Sequence, residues 1–326
     1  MIKKEILVRL VQDYEGPNLL RQTPGQTGIW DGIRFTLEPL EECDFLIVLR
    51  SQMKNPISVR CPPQNVWAVV QDPYVPGFND WLVEGYDKFS RVFTPEIPYF
   101  NGKFIRSQPA LPWYVNRGYD ELVSLPVPEK TKDLSWILGN QRDIPGHFKR
   151  RAFLAYLKRE GKVTFDLFGR IGQPLTDKAE ALLPYRYSLA VENSCTADYW
   201  TEKIADCFLC WTVPIYYGCS NLEDYFPADS FIRIDIEKPK EAQELILTII
   251  KNDDWARRLN ALREARYLIL NKYQLFPHFS SYIRKELPVA VEREYIHIPV
   301  YKRSKRAKCR RVIYKAKRAF WRFTYP

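Results

Sequence analysis

The stretch from residue 187 to residue 218, YSLAVENSCTADYWTEKIADCFLCWTVPIYYG, constrains the fold more than any other part of the chain. An apolar, β-prone run from Tyr187 to Val191 stops abruptly at Glu192-Asn193-Ser194, which predicts a strand closed by a polar turn. Thr201 then opens a helix whose first turn carries Glu202 and Lys203, and the helix must end before Pro214. Val213 to Tyr217 reads as a second strand, with Gly218 as the turn after it. Strand, helix and strand in so short a span make a βαβ unit, which commits the chain to an α/β fold with a parallel sheet.

A buried βαβ unit usually has short, bland connections, whereas this one places several polar side chains between the first strand and the helix. In open α/β sheets ligands bind in the crevice at the C-terminal ends of the strands. Free backbone N–H groups, the positive end of the helix and the Lys203 ammonium suit an anion there. Taken one at a time, the same residues also read as a helix cap at Asp198 or Thr201 and a solvated Glu202/Lys203 pair.

The constellation as a whole resembles the donor-binding signature of glycosyltransferase family 10, the α1,3/α1,4-fucosyltransferases: F-E-N-S, D-Y-x-T-E-K, a helix, then G-x-V-P-x-x-x-G. Glu192-Asn193-Ser194, Asp198-Tyr199, Thr201-Glu202-Lys203, Val213-Pro214 and Gly218 fall in register. Ala190-Val191 and Cys210-Trp211 depart from the usual Ala-Phe and Ala-Gly, which are changes of packing. Phe226 to Ile232 matches the continuation. Upstream, Leu138-Gly139-Asn140 ends an apolar strand and Pro145 starts a helix carrying His147, Lys149, Arg150 and Arg151. Arg150 lies three residues before Phe153, as in the family's Arg-x-x-Phe pattern, and Val163 to Gly169 resembles its V-D-x-F-G strand and turn. The resemblance covers most of residues 134–235.

The resemblance implies a GT-B-like α/β fold, in which two Rossmann-like domains face a cleft, and inverting transfer of L-fucose from GDP-fucose to a glycan hydroxyl. The acceptor would be GlcNAc or Glc of a lactosamine- or lactose-type unit. It also implies donor-binding roles for Arg150, Asn193, Tyr199, Glu202 and Lys203, with Arg150 clamping the diphosphate. Arginine suits that role, because its planar fork engages two phosphate oxygens and keeps its charge. No cofactor is required on this reading, and a divalent metal is at most stimulatory. The same scaffold working on another nucleotide sugar, or binding one without catalysis, stays open.

The catalytic base is less sharply written. The run from Val66 to Pro73 resembles a strand ending in the family's presumed base. A gapless match puts the neutral Gln71 at that position, which leaves no base. A match through Pro76-Gly77-Phe78-Asn79 puts Asp72 there, and Asp72 is the choice because a carboxylate at a strand end is what proton acceptance needs. A turn cap before Pro73 is the plain alternative for Asp72, and Glu84 is a second candidate.

Length sets the organisation: 326 residues suit two α/β domains. Strands are expected at 6–10, 44–50, 66–71 and 89–93. Helices are expected at 80–84, 241–250, 255–271 and 279–286, the later ones covering the second sheet and crossing back to the first domain. The divisions are an acceptor domain at 1–128, a GDP-sugar domain at 129–299 and a basic tail at 300–326. No run of eighteen apolar residues and no signal-peptide core is visible, so the chain as given reads as neither secreted nor membrane-spanning. Since a Golgi enzyme of the resembled family would carry an N-terminal anchor, the resemblance implies either a cytoplasmic form of bacterial or viral type or an absent anchor. The seven cysteines are odd in number and irregular in spacing, which argues against a disulfide framework. Cys207 and Cys210 form a C-x-x-C inside the predicted helix and read as core thiols, with no metal site expected.

The charge is concentrated at one end. Eleven of the 49 Lys and Arg residues, and no acid, fall in 301–326, which leaves 38 basic against 39 acidic residues elsewhere. Any partner implied by basicity is therefore a partner of the tail. Cys309, Val312, Ile313, Ala316, Ala319, Phe320 and Phe323 form a helical stripe opposite the Lys and Arg residues, and Trp321 and Tyr325 add amphipathic rings. The pattern suits a helix lying on an anionic membrane surface, at the inner face. Nucleic acid is the competing target and is set aside for want of any other such feature in the body; a solvated tail is the bland reading.

Overall fold

The computed structural model describes residues 5–49, 54–98, 102–286 and 292–324. Tyr325, one of the two tail rings, lies outside them. The chain divides into two compact units, the first made of residues 1–112, 117–121 and 272–314 and the second of 113–116, 122–271 and 315–326.

The strands of the first unit are, in chain order, β1 (Ile6–Gln12), β2 (Ile29–Trp30), β3 (Ile33–Thr36), β4 (Phe45–Leu49), β5 (Ile57–Cys61), β6 (Val66–Val69), β7 (Arg91–Thr94) and β8 (Phe104–Arg106). Seven of them form one sheet in the order β2-β3-β1-β4-β6-β7-β8. Only the β2–β3 pairing is antiparallel. β5 stands apart and pairs with the later strand Glu294–Ile298. The five residues of β4 are all buried, because a parallel strand is covered on both faces. Phe45, Ile47 and Leu49 point into one core and Leu46 and Val48 into the other.

The second unit has a five-stranded sheet of β9 (Lys132–Ile137), β10 (Asp166–Phe168), β11 (Tyr185–Val191), β12 (Val213–Tyr217) and β13 (Ile232–Arg233). All its pairings are parallel, in the order β10-β9-β11-β12-β13. The helices, in chain order, are α1 (Tyr119–Ser124), α2 (Pro145–Glu160), α3 (Glu202–Leu209), α4 (Pro239–Asn252), α5 (Leu259–Leu268), α6 (Leu275–Glu286) and α7 (Lys305–Thr324). Phe153 of α2 packs on Trp136 of β9 with ring centroids 5.9 Å apart. Cys207 and Cys210 are buried thiols in and just after α3, and burial pushes both up, Cys210 to about 12.

Two features differ from the sequence reading. Residues 272–299, expected in the second domain, group with the first unit, because Leu275, Phe276, Phe279 and Ile283 of α6 bury one side of that unit's sheet. Phe279 meets Phe93 edge-on at 5.1 Å. The tail is also less free than its composition suggests. Tyr314 is buried against Phe78, and Arg310 pairs with Asp80 and Glu84 within the first unit. Within the second unit Arg318 pairs with Asp143, and Trp321 stacks near Phe148 instead of standing free. The stripe Val312, Ile313, Phe320 and Phe323 remains exposed. Among the described residues no helix is long and apolar enough to cross a membrane.

Candidate functional site

Strand order fixes where a ligand can sit in the second unit. The chain steps from β9 outward to β10, then passes back to β11 and onward to β12 and β13, so direction reverses between β9 and β11. At such a switch point the connections diverge and leave a crevice at the strands' C-terminal ends. Glu192-Asn193-Ser194 follows β11 there, and Leu138-Gly139-Asn140 follows β9.

Two glycines allow three segments to meet. A Cβ on Gly146, in the first turn of α2, would lie 2.0 Å from the Asn193 carbonyl oxygen. A Cβ on Gly218, after β12, would lie 2.5 Å from Cγ of Glu192. Any larger residue at either position would push α2 or β12 away from the strand end.

Glu192 organises the start of α3. It is fully buried, and its Oε1 accepts hydrogen bonds from the Thr201 amide at 2.8 Å and the Thr201 hydroxyl at 2.9 Å. Its Oε2 accepts from Lys203 Nζ at 3.0 Å. Burial pushes its carboxyl up, opposed by Lys203. Thr201 is the N-cap, its hydroxyl accepting from the Lys203 amide, so one residue caps the helix and joins it to the strand end. The Lys203 ammonium also donates to the Thr201 hydroxyl at 3.0 Å, so two contacts orient its charge and a third N–H is left over.

Glu202 lies between two lysines, 3.6 Å from Lys203 and 3.7 Å from Lys178. Burial works against its charge, but Lys203 and Lys178 outweigh it and hold the carboxyl at about 2. The carboxylate is therefore ionised, and since neither lysine is within hydrogen-bond distance it can accept from a hydroxyl-bearing ligand. Lys178 is itself fixed at 2.8 Å by the buried Asp206, which also accepts from the Tyr114 amide.

Arg150 is the clearest sign of an anion site. It is 6% exposed, and among the described residues its one hydrogen bond is a long contact from Nη1 to the Val191 carbonyl at 3.4 Å and its Nε has no acceptor. Among the described ion pairs it has no carboxylate partner. Burial lowers its pKa, while the more distant Glu192, Tyr199 and Glu202 favour its charge. A buried cation with spare donors is costly unless an anion comes to it. Asn193 offers a buried Oδ1 that likewise lacks a donor. Tyr199 is buried in the loop before α3, held there by Asp198, whose backbone is left-handed at φ 61° and whose Oδ1 accepts from Asn221 and Tyr225.

The five expected donor residues therefore meet in one unit. Asp72 lies in the other, half-buried just beyond β6. Gln71 beside it is buried, accepting from Tyr14 OH at 3.0 Å and donating to the Pro109 carbonyl at 3.2 Å, which makes it a structural amide. Glu84 is taken up by Tyr301, Ser304 and Arg310; despite burial, these partners lower its pKa. The central position of Glu192, and the support from Lys178 and Asp206, were not visible in the sequence beyond the motif itself.

Residues 127–273 match the family model described as glycosyltransferase family 10 (fucosyltransferase) C-term. The chain is 30% identical over 228 residues to the 3-galactosyl-N-acetylglucosaminide 4-alpha-L-fucosyltransferase FUT3 of Bos taurus, covering 66% of this chain and 56% of that protein. It is 32% identical over 210 residues to the 4-galactosyl-N-acetylglucosaminide 3-alpha-L-fucosyltransferase FUT6 of Pongo pygmaeus, covering 62% and 51%. The chain thus spans little more than half the length of these relatives. A crystal structure of alpha1,3-fucosyltransferase with GDP-fucose superposes with a TM-score of 0.51 at 16% identity, over 90% of this chain and 94% of that one. That likeness establishes the GT-B-like α/β fold with parallel sheets. Residues 127–273 thus match the C-terminal domain of glycosyltransferase family 10, the fucosyltransferases.

Proposed function

We propose that this protein is an inverting fucosyltransferase that moves L-fucose from GDP-fucose to a GlcNAc or Glc hydroxyl of a lactosamine- or lactose-type glycan. The observation that carries the reading is Arg150, a buried guanidinium without an ion-pair partner among the described residues, set beside Lys203 in a domain of the fucosyltransferase family. The acceptor oxygen bonds to the anomeric carbon as the bond from that carbon to the diphosphate oxygen breaks. GDP leaves with the electron pair, and the acceptor proton passes to a carboxylate, Asp72 in this proposal. Arg150 and Lys203 stabilise the charge gathering on the leaving diphosphate. Glu202 and Asn193 accept from ribose or fucose hydroxyls, and Tyr199 lines the nucleotide pocket. These fixed cations supply the charge stabilisation, so the proposal assigns no resident cofactor, a divalent metal being at most stimulatory.

Purified protein is expected to transfer fucose from GDP-fucose to a member of a panel of lactose-type, N-acetyllactosamine-type and core-glycan acceptors. Preference for another nucleotide sugar would overturn the donor assignment. Asp72→Asn is expected to leave GDP affinity within twofold while lowering turnover by about 10²–10⁴, the usual contribution of a general base. Full turnover in that variant would move the base elsewhere, and GDP binding without transfer to any acceptor would favour a non-catalytic binder.

For the tail we propose contact with an anionic membrane surface. The exposed stripe of Val312, Ile313, Phe320 and Phe323 is flanked by exposed Lys305, Arg306, Lys308, Lys315, Lys317 and Arg322, which match an acidic headgroup layer. On this reading the protein works at the inner face of a membrane, in the cytoplasm. Deleting the tail would also remove the buried Tyr314 and the Arg310 pairs, so the test replaces only the exposed four with Ser. That variant is expected to lose co-sedimentation with phosphatidylserine vesicles and to keep turnover on soluble acceptors. Unchanged co-sedimentation would refute the membrane contact.

A further inference from the structure

His147 lies three residues before Arg150 on α2, and residues at that spacing share a helix face. The face is fixed by two contacts to the end of β11: Gly146 presses on the Asn193 carbonyl, and Arg150 reaches the Val191 carbonyl. The imidazole is 8% exposed. Its Nδ1 accepts the backbone N–H of Asp143 at 3.2 Å and faces that of Ile144 at 3.5 Å, so it caps the helix start. A neutral ring accepting at Nδ1 must carry its proton on Nε2. No described hydrogen bond uses that Nε2–H.

The ring has a reason to stay neutral. Burial lowers its pKa most, the charges of Arg150 and Lys203 lower it further, and together they bring it to about 3. Two cations already share this pocket, and a third would be repelled. A neutral donor adds a hydrogen bond to a bound anion without adding to that repulsion.

We propose that His147 is a further binding residue for the donor, presenting Nε2–H to a diphosphate oxygen beside Arg150 and Lys203. The inference rests on the GDP-sugar reading of this site. It assigns two jobs to the two edges of one ring: Nδ1 holds the helix start, and Nε2 reads the ligand.

Two amide variants separate these jobs in the full chain. In His147→Asn the side-chain oxygen takes the place of Nδ1 as acceptor for Asp143, but nothing reaches the position of Nε2. In His147→Gln the amide nitrogen reaches the position of Nε2, and the cap is lost. Calorimetric titration is expected to show GDP binding weakened about tenfold in His147→Asn, the effect of one hydrogen bond to a charged group, with guanosine affinity and thermal midpoint unchanged. His147→Gln is expected to hold GDP within threefold of wild type and to melt at lower temperature. Wild-type GDP affinity in His147→Asn would overturn the proposal and leave the ring as a cap alone. Equal losses for GDP and guanosine would overturn it as well, since they would report a distorted pocket. A wild-type protein that binds no GDP would refute the donor reading itself, which is a different outcome from either.

Discussion

Arg150→Met is expected to lower kcat/KM with GDP-fucose by about 10²–10³, the usual consequence of removing one preorganised donor from a developing anion. The same substitution is expected to leave the thermal midpoint unchanged or higher. A buried guanidinium with, among the described residues, a free Nε and one 3.4 Å hydrogen bond is a net cost to the unliganded fold, and Met fills much the same volume without that cost. Activity and stability should therefore move in opposite directions, as they do where a residue is kept for its chemistry. Arg150→Lys sharpens the test, because a point charge restores attraction but not the two-oxygen fork. It should recover part of the GDP affinity and less of the turnover. Steady-state kinetics beside thermal melts check all three, and a fall in the melting midpoint of Arg150→Met would show that the guanidinium holds the fold together instead.

Glu192→Ala is expected to cost about 3–5 kcal/mol of folding stability, the scale for breaking a buried charge pair by deleting one partner. Three groups each lose an acceptor together: the Thr201 amide, the Thr201 hydroxyl and the Lys203 ammonium, which keeps only the Thr201 oxygen. The start of α3 is left without its tie to the end of β11. Glu192→Gln should cost less, because the amide oxygen still accepts from Thr201 while the ionic partner of Lys203 is gone. Urea unfolding of the two variants measures the difference. A loss below about 1 kcal/mol for Glu192→Ala would mean that Lys203 and Thr201 re-partner with water, so that Glu192 is no organiser.

What the sequence made legible follows from how local each signal is. β11, the Thr201 cap, α3 and β12 lie where the apolar run, the capping residue and the proline put them, since each is decided by neighbours a few residues away. Arg150 was legible only by its spacing from Phe153. That Glu192 would be buried and ionically paired was not, because its partners stand nine and eleven residues on and converge only when the strand and helix pack. Lys178 and Asp206 meet across 28 residues with no common motif. The docking of α6 against the first sheet joins residues more than 180 positions apart, and its helical periodicity says only that some core receives it. In the tail, the apolar stripe was visible while the inward face was hidden, because Arg310 and Arg318 look like any other cations until their acids are located.

The placement of α6 bears on the order in which this chain can assemble. Residues 122–271 form a contiguous body able to close as soon as they are synthesised, whereas the first sheet needs Leu275, Phe276, Phe279 and Ile283 to cover one of its sides. The strands of that sheet and the helix that seals its apolar side are separated by about 160 residues, so this long-range closure is slow. Closing that sheet is thus a contact between segments far apart in the chain, unlike the local strand-helix-strand closure around α3.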